Sequence, residues 1–281
     1  MLVTLLIALR EGLEAALIVG IMFGYLKKTG QTTHGRQIWI GVVGAIALSV
    51  ALAVGIQLAG AELEGAAEEI FEGTAMILAV VVLTWMVVWM RTQARTMKSS
   101  LENQVQTAIG GGAGWGLATV AFLAVFREGV ETALLLSAAA FTTDAVGALA
   151  GAAIGLALAA VLGALIYAST IRLNLRLFFS VTSLLLLAFA AGLLARGVHE
   201  FQEAGVLPTI NEHVWDLSGV LSEDSAVGQV VSIVFGYQAS PSIESVVVYV
   251  AYWLATIFGV RWWIDRRLAR RGQRAALATG S

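Results

Sequence analysis

Seven stretches of the chain are almost wholly apolar and long enough to cross a bilayer as helices, which takes about 20 residues each. They cover about 2–26, 37–61, 69–90, 113–141, 145–170, 177–198 and 243–263. Polar connections divide them, and two are long. Residues 91–112 carry basic side chains at the start and Gly110, Gly111 and Gly112 at the end, which suits a short interfacial helix. Residues 199–242 hold both prolines, Pro208 and Pro241, and no Lys or Arg. The expected fold is all-α: one polytopic transmembrane domain over 1–264 with seven helices, then a basic cytoplasmic tail over 265–281. The first apolar run is too long for the core of a secretory leader and has no basic start, so it is expected to stay as the first span.

Composition agrees with this pattern. The chain is 58% hydrophobic and 13% charged, with a mean hydropathy of +0.83, against about 25% charged residues in soluble domains. Assigning the connections alternately to two sides puts every Lys and Arg on one side except Arg10, Arg127 and Arg196, that is, 14 of 17. That side is cytoplasmic by the positive-inside rule, so the N-terminus is outside and the C-terminus inside, in the cytoplasmic (inner) membrane. Of the 19 acids only Glu102 and Asp265 fall on the inner side, four lie within spans, and 13 lie outside or at the outer mouth. Such a surplus either follows passively from the sorting of basic residues or concentrates cations at the surface.

Two spans break the apolar pattern in the same way. The first contains Arg10-Glu11-Gly12-Leu13-Glu14, and the fourth contains Arg127-Glu128-Gly129-Val130-Glu131, 117 positions later. Each ionised side chain at a helix centre costs roughly 2.5–3.5 kcal/mol on insertion scales. Arg10 and Glu14, like Arg127 and Glu131, share a helix face and can pair. Gly12 and Gly129 leave room for another helix or an ion beside the backbone. With alternating spans the two motifs run antiparallel, about 1–91 and 113–198 read as inverted three-helix repeats, and the seventh helix is an addition. Repeats of this kind put substrate sites near the midplane. Glu11 falls ~14 Å from the outer end of its span and Arg127 ~21 Å from the inner end of its own, close to the centre of a core about 30 Å thick. Four carboxylates and two guanidiniums meeting there sum to −2, a charge that a cation would relieve. An oxygen-only donor set suits ferric iron, Mn, Mg or Ca, and ferrous iron is less demanding. There is no cysteine to supply a thiolate. The competing reading takes the motifs as salt bridges that lock two spans together.

Further candidates lie toward the outer face. Glu68, Glu69 and Glu72 open the third span, as metal collectors or as acids favoured at a helix N-terminus. His199 and Glu203, four apart at the end of the sixth span, have a chelating spacing. Asp216, Glu223 and Asp224 lie in the outer connection. Gly147, Gly151 and Gly155, and separately Gly20 and Gly24, have the spacing of helix-packing ridges. Trp85, Trp89, Trp115, Trp253, Trp262 and Trp263 suit interfacial belts.

The doubled R-E-G-x-E motif in a seven-span, N-out chain resembles the oxidase-dependent iron transporters, the fungal high-affinity iron permeases and the bacterial Efe-type permeases. The resemblance covers nearly the whole chain. It implies that Glu11, Glu14, Glu128 and Glu131 are metal ligands supported by Arg10, Arg127, Gly12 and Gly129, and that Glu68, Glu69 and Glu72 match the acidic element of the family. It implies iron, as Fe²⁺ or Fe³⁺, as transported substrate. It also implies periplasmic or extracellular iron-binding or oxidase partners, and a role in a high-affinity iron permease complex. No permanently bound cofactor, nucleic-acid partner or enzymatic activity is expected; the surroundings are membrane lipid. Replacing Glu14 or Glu131 with Ala should then abolish uptake. The alternatives are an importer of lead or manganese on the same scaffold, and a non-transporting membrane subunit of a redox complex. An intramembrane metalloenzyme is disfavoured, because there is no H-E-x-x-H and none of His34, His199 and His213 lies inside a span.

Overall fold

The computed structural model describes residues 1–93, 97–110, 115–141, 145–168, 174–208, 214–222, 225, 227–228, 231 and 236–259. Among these residues every regular element is a helix: α1 (Leu2–Lys28), a 3₁₀ turn (Thr32–His34), α2 (Gly35–Ala61), α3 (Ala66–Gln93), α4 (Met97–Gly110), α5 (Gly116–Ala140), α6 (Ala145–Tyr167), α7 (Leu175–Glu203) and α8 (Ile243–Gly259). In lipid the backbone must satisfy its own hydrogen bonds, which leaves helices for apolar segments of this length. Four segments are long and apolar enough to cross a membrane: Thr32–Gly60, Ala66–Met90, Val146–Tyr167 and Leu175–Glu203. Helices α1 and α5 match them in length, at 27 and 25 residues, and are interrupted by the three charged residues of each motif. The basic tail over 265–281, with Trp262 and Trp263, lies outside the described residues.

Small residues set how the helices pair. Along α1, a Cβ on Gly151 would strike Thr4, one on Gly155 would strike the Leu5 carbonyl, and one on Gly163 would come within 2.6 Å of Ala16. The residue numbers rise together, so α1 and α6 run parallel. Gly41 lies against Ala118, Gly44 against Phe122, and Gly129 against Ser49, so α2 and α5 are parallel as well. Gly73 meets Gly197 and Glu200, while Gly197 meets Met76 and Ile77, so α3 and α7 are antiparallel. The most extensive packing is α1 on α6, α2 on α5, α3 on α7 and α1 on α5. Exchanging α1, α2 and α3 for α5, α6 and α7 maps this set onto itself.

Two features depart from the apolar pattern. Polar α4 buries Leu101 and Val105, one helical turn apart, against Met22, Leu26 and Leu117; it is the short helix expected in the 91–112 connection. The connection after α7 is not confined to a surface. Gly236, at φ +68°, lies on Gly192, eleven residues before Glu203 and hence ~16 Å down α7. The described segments hold together by Val214 N–H to Pro241 O (2.9 Å), Leu217 N–H to Ala239 O (2.8 Å) and Tyr237 O–H to Leu221 O (3.0 Å). These bonds satisfy polar groups that water would otherwise serve. Helix α8 then starts with Ser245 N–H on Ser242 Oγ and is fixed to α3 where Tyr252 and Thr84 hydroxyls meet at 2.8 Å.

Candidate metal site between α1 and α5

Helices α1 and α5 bring the two motifs face to face. Glu11, Glu14, Glu128 and Glu131 are all buried. Glu11, Glu128 and Glu131 each offer an oxygen within 4.8 Å of the others. At that spacing two like charges repel by about 3 kcal/mol at an effective dielectric of about 20. One oxygen of each, Oε2, has no hydrogen-bond partner. Buried carboxylate oxygens are almost always satisfied, so three open ones converging from two helices form a donor set suited to a hard cation. Glu14 lies outside this trio. Its carboxylate is 3.3 Å from Arg10 Nη2, and it remains within electrostatic reach of the other three.

The arginines hold the carboxylates in place. Arg10 pairs with Glu11 and Glu14, and Arg127 Nε is 3.0 Å from Glu131 and 3.9 Å from Glu128. Behind both arginines stands α3. Arg10 donates to the sulfurs of Met86 and Met90, while the Arg127 guanidinium lies 3.9 Å over the Trp89 ring and 5.9 Å from that of Trp85. The sequence reading missed these methionines and assigned the two tryptophans to an interfacial belt; here both rings face a cation. The only signal was their spacing, two i,i+4 pairs on adjacent stripes of one helix.

The motif glycines serve helix approach. A Cβ on Gly12 would sit 2.7 Å from Ala159 of α6, and one on Gly129 would sit 2.0 Å from the Ser49 hydroxyl of α2. Helices α1, α2, α5 and α6 together line an open-sided cavity of about 740 Å³, with Glu11 and Glu128 in its wall beside apolar residues such as Ile46, Leu136 and Leu156.

The remaining candidates gather elsewhere. Glu68 and Glu69 lie in the first turn of α3 with Glu72 one turn on, and the Gly73–Gly197 crossing brings Glu200 of α7 against them. Glu200 was not singled out from the sequence. His199 Nε2 is 3.3 Å from Glu203 Oε1, and both are about half exposed. Asp216 accepts from the Ser218 N–H at 2.9 Å and so caps a local turn. Glu223 and Asp224 lie outside the described residues.

Membrane-length helices burying charged side chains between them define a multi-pass helical membrane protein. A family model described as the iron permease FTR1 family matches residues 1–268, and the chain belongs to that family of iron transporters. It is 43% identical over 254 residues to the ferrous iron permease EfeU of Escherichia coli O6:K15:H31, covering 90% of this chain and 92% of that one. It is 39% identical to the ferrous iron permease EfeU of Yersinia pestis, with 90% of each chain covered. A protein of Escherichia coli K12 named as a putative inactive ferrous iron permease EfeU is 43% identical over the same extent. No solved structure matches the chain.

Proposed function

We propose that this protein imports ferrous iron across the cytoplasmic membrane, with Glu11, Glu128 and Glu131 as the ligands of a midplane site. The observation that carries the reading is the trio of buried carboxylates, each with an oxygen that no donor serves. In the protein, Arg10 and Arg127 orient the carboxylates, Glu14 supports through Arg10, and the formal −2 of four acids and two bases balances Fe²⁺. The ferrous form is favoured further by the names of the relatives.

The architecture behind this reading has seven spans, N-out and C-in, with α1–α3 and α5–α7 as inverted repeats and α8 as the seventh. The exchange symmetry of the helix packing supports the repeats, and the parallel and antiparallel directions support the span count, since they fit alternating spans only if α4 does not cross the membrane. Glu68, Glu69, Glu72, His199 and Glu203, joined by Glu200, would collect cations at the outer mouth. An inside-negative potential favours entry by about 2.3 kcal/mol per charge per 100 mV. Oxidase or iron-binding partners would deliver iron at this face.

Reconstituted protein should take up ⁵⁵Fe²⁺, kept reduced with ascorbate, into liposomes, and Glu128→Gln should stop both uptake and ⁵⁵Fe²⁺ binding. Full uptake by Glu128→Gln would refute the site. Lead or manganese entering faster than iron would return the alternative substrates.

A further inference from the structure

One face of α1 carries Gly12, Ala16, Gly20, Gly24 and Lys28, each four residues after the last. The upper part of this stripe packs on α6: Gly12 against Ala159, and Ala16 against Gly163. The lower part does not. The nearest atom to a Cβ on Gly20 would be a Tyr167 ring carbon at 3.9 Å, and a Cβ on Gly24 would meet nothing within 4 Å. A glycine in a helix interior is destabilising relative to alanine, and a close helix contact is the usual return. Within the chain that contact is missing at Gly20 and Gly24, so the two glycines do not form a ridge between these helices.

What they border is space. A second cavity, about 350 Å³, is lined by Gly20, Gly24, Tyr25, Lys28, Glu102 and Tyr167, among others. At about 30 Å³ per water it has room for roughly ten. It shares Gly20 and Tyr167, with Ala16 and Gly163, with the 740 Å³ cavity whose wall holds Glu11 and Glu128. Those two carboxylates are 99% and 96% buried and each keeps an unpartnered oxygen. The two cavities therefore adjoin, one with Glu11 and Glu128 in its wall and the other with one carboxylate on α4, two tyrosines and an ammonium.

We propose that iron leaves the carboxylate cluster inward along the open glycine face of α1, between α1 and α6, and that Glu102 of α4 is the last carboxylate it meets. This exit route rests on the permease reading. It explains the two glycines as residues that keep a passage clear. It also gives α4 a role: its buried Leu101 holds Glu102 at the mouth, where Lys28 disfavours retention of a cation.

The test uses the full chain in proteoliposomes with ⁵⁵Fe²⁺ and ascorbate, and ⁵⁵Fe²⁺ binding to the detergent-solubilised protein. Gly24→Leu and Gly20→Leu should lower the initial uptake rate at least tenfold while binding stays within twofold. Glu102→Gln should lower uptake three- to tenfold with binding unchanged. Gly55→Leu, on α2, where a Cβ also meets nothing within 4 Å, should leave both within twofold. Wild-type uptake rates in both α1 leucine variants would overturn the route, as would loss of binding together with uptake. If Gly24→Leu does not reach the membrane, Gly24→Cys decides in this cysteine-free chain. A charged methanethiosulfonate applied from the cytoplasmic side should block uptake, and unchanged uptake after verified labelling would overturn the route. Failure of the unsubstituted protein to carry iron would instead refute the permease reading, and the route with it.

Discussion

The two motif copies are nearly identical in sequence and unlike in their surroundings. In α1, Arg10 is fully buried, paired with both glutamates of its own motif and closed off by two methionine sulfurs. In α5, the Arg127 side chain keeps 34% of its surface exposed and stacks on Trp89. The α1 copy sends one carboxylate, Glu11, into the trio and the α5 copy sends two, Glu128 and Glu131. The inequality comes from α3, which stands behind both arginines: Met86 and Met90 face one, Trp85 and Trp89 the other. A repeated sequence thus supplies repeated side chains, while the third helix decides which is a buried brace and which a partly exposed one.

The largest effect expected from this difference is on stability. Removing one partner of a buried ion pair costs about 3–5 kcal/mol, because the other charge stays behind unpaired. Arg10→Ala leaves Glu11 and Glu14 in that state and should lower the thermal unfolding midpoint in detergent sharply. Arg127→Ala also leaves the buried Glu131 without its partner, but the guanidinium it removes is already one-third exposed, so the loss should be smaller. Equal losses from the two variants would mean that the burial difference carries no energetic weight.

Next comes the division among the glutamates. Glu131→Gln should reduce ⁵⁵Fe²⁺ uptake and binding at least 100-fold, about 2.8 kcal/mol of ligand interaction by the tenfold-per-1.4 rule. Glu14→Gln should reduce uptake about tenfold and leave binding measurable, since Glu14 touches Arg10 and stands outside the trio. The motif spacing alone predicts equal and complete losses from Glu14 and Glu131. Equal losses of binding would restore that simpler view and remove the asymmetry from the mechanism.

Much of the architecture was readable because lipid simplifies the code. Apolar runs of fixed length had to be helices, and i,i+4 spacing had to put Arg10 beside Glu14. What could not be read depended on which helix lies behind which face. Gly151 and Gly155 share their spacing with Gly20 and Gly24, yet the first pair is pressed on α1 and the second opens on a cavity. Nothing in the local sequence separates them, because the difference arises where α1 and α6 diverge. Met86 and Trp89 read as ordinary apolar residues until an arginine from another helix meets them. Glu200 looked like one more acid at a helix end until the Gly73–Gly197 contact set it against the first turns of α3. The descent of Gly236 beside Gly192 was hidden in a connection whose polarity suggested only a surface.

A smaller effect tests the helix side of the motifs. Gly12→Ala puts a methyl 2.7 Å from Ala159 Cβ, and overpacking of this kind costs about 1–3 kcal/mol. The double variant Gly12→Ala/Ala159→Gly should recover most of the loss in unfolding midpoint. On the other side, Gly129→Ala meets Ser49, and Ser49→Gly should relieve it likewise. Rescue on both sides would mean that the two motif glycines share one function despite the difference between their arginines; rescue on neither would assign them to the ion path instead.

The smallest effect expected is at Trp89. A cation over an aromatic face contributes about 0.5–1 kcal/mol at exposed sites and about 2 kcal/mol when desolvated, and the Arg127 guanidinium, one-third exposed, lies 3.9 Å over the Trp89 ring. Trp89→Phe keeps a ring and weakens the attraction; Trp89→Leu removes it. Unfolding midpoints should fall in that order by small steps, with uptake reduced about two- to fivefold, because Arg127 would then hold Glu131 less tightly. The same substitutions made after Arg127→Met should have a smaller effect, and a double-mutant cycle isolates the coupling. A coupling near zero would reduce Trp89 to a lipid-facing ring. The contrast between the two arginines would then rest on the burial of Arg10 alone.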